Sequence, residues 1–250
     1  MLDHLSRGRL EVGIGRGASP HELAYFGVDP QVAPEMYVEA YNVIMQALTR
    51  DQVNFSGKHY QFADVPIEMK PLQRPHPPLW YAVPVPDGAA WPAQNQINIV
   101  CGGPLVRVRE ITDRYRAAWA AEGRSPTELP LLGINHFVVA ADSDREAMSL
   151  GRRAWPVFYR SFMKLWKLHG TQPRFARLPD DFDTLVANGG AIAGGPRALR
   201  DQVRIMMEAA GTNYFIGQFS FGDLTHEEVI HSAGIFAREV LPMAEEKVTA

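Results

Sequence analysis

Short apolar segments alternate with amphipathic ones along nearly the whole chain. Leu10-Glu11-Val12-Gly13-Ile14 alternates apolar and polar positions after Arg7-Gly8, which predicts a strand. Leu79–Val83, Ile97–Cys101, Leu131–Ala140 and Tyr214–Gly217 are apolar runs bounded by turn residues, and each reads as a buried strand. Met36, Val43, Ile44, Ala47 and Leu48 recur at helical spacing within Glu35–Leu48, as do Val108, Ile111, Tyr115 and Trp119 within Leu105–Glu122. Further helices are expected over Asp144–His169, kinked at Pro156, over Pro196–Ala210 and over His226–Leu241. Ser19-Pro20-His21-Glu22 has the form of a capping box with proline at the first helical position, so a short helix should precede Phe26-Gly27.

Prolines 66, 71, 75, 77 and 78 forbid a helix between Phe55 and Pro78, and that stretch is expected to be a loop. Gly88 and Pro92 make Pro86–Gln94 a poor helix, and Arg174–Asn188 reads as irregular with a short helical piece. Five strands, near residues 10, 80, 98, 135 and 215, thus alternate with helices. That alternation means βαβ units and a parallel sheet, an α/β fold. No repeat, low-complexity tract or linker interrupts it, so residues 1–250 are expected to form one domain.

Composition narrows the function classes. With 46% hydrophobic and 21% charged residues, the chain has ordinary globular make-up. A formal net charge of -3 gives no reason to expect nucleic acid or an anionic membrane as partner. The single cysteine, Cys101, excludes an internal disulfide and reads as a small core residue. No run reaches the roughly 18–20 apolar residues of a membrane span. The first residues lack the apolar core of a signal peptide, so a cytoplasmic location is expected. The chain also enters its first strand after only a few residues, so either it begins abruptly or something upstream is missing.

The chemistry-bearing motifs are few. Gly13-x-Gly15-x-x-Ala18 follows a strand and formally matches the dinucleotide fingerprint. That fold needs a second strand ending in an acidic residue about twenty residues on, where the helix of Glu35–Leu48 stands instead. A catalytic or phosphate-binding turn at a strand's carboxyl end, or a plain structural turn, accounts for the glycines better. Arg16 lies between two glycines and is the best candidate for an anion ligand, because a guanidinium clamps phosphate with paired hydrogen bonds. The alternative is a surface ion pair, for example with Glu22. His21-Glu22-Leu23-Ala24-Tyr25 lacks the second histidine of a zinc-protease helix, and the remaining histidines have no ligand spacing, so no metal site is expected. Gly194-Gly195-Pro196 opens a helix whose free N–H groups are suited to phosphate, although most such starts hold nothing.

Taken together, Leu2 to Gly17, with its core Gly8-Arg9-Leu10-Glu11-Val12-Gly13-Ile14-Gly15-Arg16-Gly17, resembles the fourth helix–strand region of the bacterial luciferase-like flavin monooxygenases. The resemblance continues through Glu22, Phe26-Gly27, Glu39-Ala40 and Lys70-Pro71-Leu72-Gln73-Arg74-Pro75-His76-Pro77-Pro78-Leu79-Trp80. Gly211-Thr212-Asn213-Tyr214-Phe215-Ile216 and Phe236-Ala237-Arg238-Glu239-Val240-Leu241-Pro242 resemble the family's last strand and last helix.

The resemblance implies a (β/α)₈ TIM barrel. The five strands would be its fourth to eighth, with the first three missing, and so an incomplete barrel in a shortened or late-starting chain. It implies reduced FMN (FMNH2), or alternatively the deazaflavin coenzyme F420, together with O2 and a small organic substrate such as an aldehyde or ketone. A flavin reductase and a second copy of the chain, as a homodimer, are the protein partners it implies. The cofactor-binding residues it implies are Gly15, Arg16 and Gly17, with Arg16 on the phosphate. No catalytic residue is assigned, because the family's catalytic histidine would precede this sequence and the luciferase cysteine position is Gly15. A second phosphate arginine expected near Met36 is absent, and a hydroxyl-bearing Ser-Pro-Glu-Ser/Thr motif is replaced by Val85-Pro86-Asp87-Gly88. An impaired enzyme and a non-catalytic, flavin-binding or dimerising relative are the two readings that follow.

Overall fold

The computed structural model describes residues 1–17, 19–173, 178–240 and 242. The chain divides into two compact units, Met1–Ala82 and Val83–Ala250.

In the first unit a short helix α1 (Leu2–Leu5) leads to strand β1 (Val12–Ile14), helix α2 (Pro20–Tyr25) and helix α3 (Ala33–Thr49). Strands β2 (Gln52–Ser56), β3 (Gln61–Pro66) and β4 (Leu79–Ala82) follow. β1 and β4 are parallel, with Val12, Gly13 and Ile14 opposite Leu79, Trp80 and Tyr81. The link between them is made by Asp3 and Gln73. The buried Asp3 carboxylate accepts the Gln73 backbone N–H and side-chain amide, each at 2.8 Å, and the same amide donates to the Leu10 carbonyl at 2.7 Å. The Gln73 backbone N–H is the main reason that the Asp3 carboxyl lies below its ordinary range.

The stretch expected to be a loop contains an antiparallel hairpin, β2 against β3. The prolines that forbid a helix begin at Pro66, the last residue of β3, which lies opposite Gln52 at the open end of the hairpin. Its turn is held from outside the hairpin. The Glu39 carboxylate on α3 accepts the backbone N–H groups of Lys58, His59 and Tyr60 at 2.8, 2.8 and 3.0 Å. One helix later in sequence, this is tertiary information that no local pattern carries.

The second unit is built on β6 (Leu132–Ala140), the longest strand. Before it come a 3-10 turn at Pro86–Ala89, helix α4 (Ala90–Gln94), strand β5 (Asn98–Cys101) and helix α5 (Leu105–Ala121). After it come α6 (Asp144–Phe162), α7 (Lys164–Leu168), α8 (Phe182–Ala187), β7 (Ala191–Gly194), α9 (Pro196–Ala210), β8 (Tyr214–Gln218) and α10 (His226–Glu239). β5, β7 and β8 all pair with β6 in parallel, as the alternation of strands and helices predicted. Among the described residues β1 pairs only with β4 and β8 only with β6.

Three expectations need correction here. Pro86–Gln94 is helical, first as the 3-10 turn and then as α4, because Pro86 and Pro92 sit where a short helix start tolerates them. The single helix expected over Asp144–His169 is two, because α6 ends at Phe162 with Met163 as its C-cap and α7 follows. β7 was not expected. Ala-Ile-Ala-Gly between glycine pairs looks like a turn, and it becomes a strand by pairing with Phe137–Ala140. Part of the irregular stretch expected over Arg174–Asn188, and the expected helix end at Leu241, lie outside the described residues.

Even-numbered positions of β6 face one core. Val138 and Ala140 pack with Ile192, Leu199, Val203 and Ile235 under α9 and α10. Odd positions face another: Val139 joins Trp155, Phe182, Leu185 and Phe221 under α6 and α8. α9 ends at Gly211, whose φ of 63° requires glycine. Its last carbonyls are tied to α5 by Thr112 Oγ1, which donates to Ala210 at 2.8 Å, and by Arg116, which donates to Gly211 at 2.6 Å.

Two stability predictions follow. Burial alone would raise the Glu39 carboxyl, and the three N–H donors outweigh it, so its pKa is lowered from 4.5. A lowered folded pKa stabilises above the unfolded value and stops doing so as pH falls through the folded one. Hydrogen exchange should therefore show amides 58–60 protected at neutral pH and released in acid, and Glu39→Ala should release them at every pH. In the second unit, a Cβ on Gly151 would lie 2.0 Å from the Phe182 ring, so Gly151→Ala should cost about 1–3 kcal/mol of overpacking. Adding Phe182→Leu should recover part of that loss in thermal unfolding, because the two positions share one clash.

Candidate functional site

The glycine run after β1 is the first place to look, since parallel strands of this class present their chemistry at their carboxyl ends. The β1 residues Val12 and Ile14 are half-buried, while Glu11, Gly13, Gly15, Arg16 and Gly17 are exposed. A Cβ added at Gly13 or Gly15 would meet nothing within 4 Å. The face of β1 that carries them is therefore open. Trp80 of β4, opposite Gly13, flanks this face, and its indole N–H donates to the Glu11 carboxylate. Gly17 has φ +93°, which turns the chain sharply toward α2.

α2 starts as the pattern predicts. Ser19 Oγ accepts the Glu22 N–H at 3.5 Å and Pro20 holds the first helical position. Ala18, the last residue of the fingerprint run, lies outside the described residues. Among the described residues no hydrogen bond or ion pair engages the Arg16 guanidinium, and the alternative pairing with Glu22 does not form. An exposed, unengaged guanidinium between glycines, beside an open strand face, is suited to a phosphate or carboxylate.

The other sequence candidates resolve differently. Pro86, Asp87 and Gly88 lie in the 3-10 turn Pro86–Ala89 of the second unit with Val85 as its N-cap, and the Asp87 carboxylate pairs with Arg114. The carboxylate that the replaced motif brings is thus compensated by an arginine of α5. At the start of α9 the position read as a phosphate cradle is filled: Asp144 Oδ1 accepts the Gly195 N–H at 2.7 Å. Cys101 is buried, and burial pushes its thiol up to about 12, so it is an unreactive core residue. Among the described residues no group of three or more His, Cys, Asp or Glu is placed to hold a metal ion. A groove of about 490 Å³ between α5 and α9, lined by residues such as Leu105, Val106, Gly189, Ile205 and Met206, has no ionisable group in its wall.

The pattern reading takes His136 of β6 for a structural histidine and passes over its neighbour Asn135. His136 is 1% exposed, and its ring stacks on Phe215 with centroids 6.1 Å apart. Desolvation lowers its pKa to about 4, opposed by the Gly190 backbone, so it is neutral at physiological pH. Asn135 and Phe137 lie on the opposite face from His136. The signal was available: a carboxamide and an imidazole side by side in an otherwise apolar strand are costly to bury without reason.

Known proteins agree with this architecture. The family model of luciferase-like monooxygenases matches residues 1–213. An uncharacterised protein of Sinorhizobium fredii, y4wF, is 36% identical over 241 residues, which is 96% of this chain and 70% of that protein. Among solved structures, the monooxygenase RslO1 from Streptomyces bottropensis superposes with a TM-score of 0.77 at 24% identity, over 97% of this chain and 71% of the other. The oxygenating constituent of 3,6-diketocamphane monooxygenase from Pseudomonas putida, solved with FMN, gives 0.76 at 20% identity over 96% and 72%. The coenzyme F420-dependent tetrahydromethanopterin reductase of Methanopyrus kandleri gives 0.64 at 16% identity over 97% and 76%. At these identities the structures establish the fold, an α/β arrangement with a mainly parallel sheet. The match along residues 1–213 and the identity to y4wF establish more: the chain belongs to the luciferase-like monooxygenase family.

Proposed function

We propose that the protein is a flavin-dependent oxidoreductase that uses reduced FMN, or the deazaflavin F420, with O2 and a small organic substrate. The observation that carries this reading is the unengaged Arg16 guanidinium between Gly15 and Gly17, next to the open Gly13–Gly15 face. In this reading Gly15 and Gly17 let the cofactor come close to the backbone, and Arg16 neutralises its phosphate. When bound, the reduced flavin supplies electrons for oxygenating the substrate. The chain's own share is to bind and orient it and to keep water away. The FMN in the Pseudomonas structure and the F420 dependence of the Methanopyrus enzyme support a flavin or deazaflavin for this family. A separate flavin reductase and a homodimer belong to the same proposal. So does the assignment of the described strands to the later part of the barrel; the chain spans 71% and 72% of the two neighbours' lengths.

A second reading, a flavin binder without turnover, is favoured by one feature. The hydroxyl positions that the family resemblance places on the phosphate are Val85 and Gly88 here, and neither side chain can donate a hydrogen bond. Titration with oxidised and reduced FMN, followed by mass spectrometry of aldehydes and ketones exposed to protein, reduced FMN and O2, separates the two. Product above the protein-free rate is expected of the first reading, and binding without product of the second. Absence of flavin binding removes both.

Arg16→Ala should weaken FMN about ten- to a hundredfold, the loss of a charge-assisted contact. It should leave riboflavin, which has no phosphate, nearly unchanged. Fluorescence titration of both ligands checks this, and equal losses would take Arg16 out of the phosphate site.

A further inference from the structure

By strand alternation Glu11, Gly13 and Gly15 share one face of β1 and its flanks, and all three are exposed. On β4 the same face carries Trp80, opposite Gly13, and Ala82. The bond from the Trp80 indole N–H to the Glu11 carboxylate brings those two side chains together there. Beyond them the surface is nearly bare. Gly13 and Gly15 have no side chain, Ala82 has only a methyl group, and a Cβ built on either glycine would meet nothing within 4 Å. The result is a flat, open strip with an indole along one side.

The two ends of the strip carry opposite charges. Arg16 follows Gly15, and Glu11 lies five residues before it, at most about 17 Å away along an extended backbone. Among the described residues no Lys, Arg or His pairs with the Glu11 carboxylate, whose one bond there is to Trp80. A carboxylate accepts through two oxygens, so a single indole N–H leaves most of its capacity unused. A ligand lying along the strip therefore brings an anion to Arg16 and an N–H or O–H donor to Glu11. The opposite orientation would set its anion against a carboxylate. Between those ends the ligand is flat, because the glycines leave room for a plane over the strand.

We infer that this strip seats the planar ring system of the cofactor, with Glu11 accepting the N–H of its pyrimidinedione ring and Trp80 forming the wall beside Gly13. Trp80 is also a positioning residue, since its indole N–H fixes the Glu11 carboxylate. The inference rests on the oxidoreductase reading for the identity of the ligand, and it goes beyond the Gly15–Gly17 assignment by placing the ring as well as the phosphate. FMN and coenzyme F420 both join such a ring N–H to a phosphate-bearing chain, and that shared chemistry is what the strip selects.

The test titrates the full chain with FMN, N3-methyl-FMN and coenzyme F420, read by cofactor fluorescence. N3-methyl-FMN keeps the phosphate and loses the ring N–H, so the wild type should bind FMN about tenfold or more tightly than it binds the methylated probe. Glu11→Ala should lose about ten- to a hundredfold in FMN affinity, the worth of a charge-assisted bond, and should bind the two probes alike. Glu11→Gln keeps the size and one acceptor oxygen and should lose less. Trp80→Phe keeps an aromatic wall without the N–H and should reduce the preference for FMN without abolishing it. Arg16→Ala should weaken both probes equally and leave the preference intact. Equal binding of FMN and N3-methyl-FMN by the wild type overturns the inference, as does a Glu11→Ala variant that keeps the preference. Either result leaves the oxidoreductase reading standing, since FMN still binds. Tighter binding of F420 than of FMN makes the deazaflavin the source of the ring, and it upholds the inference if Glu11→Ala weakens F420 and overturns it if not. Failure of the wild type to bind either cofactor defeats the reading and the inference together.

Discussion

Parallel pairing on β6 is the interaction on which the larger unit depends. β5 lies along Leu132–Ile134, β8 along Gly133–Phe137 and β7 along Phe137–Ala140, so nearly every backbone group of the strand is engaged. A strand paired on both edges and covered on both faces must be apolar almost throughout. Leu132, Ile134, Val138, Val139 and Ala140 meet that requirement, each being 1% exposed or less. The ends of β6 are then fastened by side chains from elsewhere. Asn213 Oδ1 accepts the Leu132 N–H at 2.6 Å, and Ser232 Oγ accepts the Ala140 N–H at 2.8 Å.

The same constraint explains why the two polar residues of β6 differ in meaning. His136 falls on the face covered by helices and stays neutral there, a buried ring stacked on Phe215. Asn135, one residue earlier, falls on the opposite face, two residues from Phe137 and its aromatic cluster. A shift of one residue exchanges the two faces of a strand. Both carry unmade hydrogen bonds, the imidazole at its two nitrogens and the carboxamide at Oδ1, so position within the pleat, not bonding, separates them.

Electrostatics divide the candidate sites in a similar way. Asp87 is paired by Arg114, and Asp144 caps the Gly195 N–H. In both cases the fold uses a carboxylate to settle a group that the sequence leaves open. Arg16 is not settled in this manner. Exposed pairs of this kind contribute little to stability. Arg50, Arg74 and Arg145 likewise make no ion pair among the described residues, and what distinguishes Arg16 is the open strand face beside it.

Much of the fold was legible because it is written locally. The spacing of Val108, Ile111, Tyr115 and Trp119 predicts α5, and all four are buried on the face it predicts. Ser19 and Pro20 mark the start of α2, and Gly195-Pro196 the start of α9. The resemblance to luciferase-like monooxygenases, carried by motifs around Arg16, Lys70–Trp80 and Gly211–Ile216, was also contained in the sequence. What the sequence could not decide depends on partners distant along the chain. Ala191–Gly194 is a strand only because β6 offers it an edge. The 57–60 turn holds its shape because Glu39 gathers its N–H groups from a helix 19 to 21 residues away. The start of α9 is closed to phosphate because Asp144, 51 residues earlier, reaches it. Local propensity and periodicity determine which segments become helices or strands. Which polar groups remain unpaired, and so free for a ligand, is decided only when distant segments compete for the same hydrogen bonds in the folded chain.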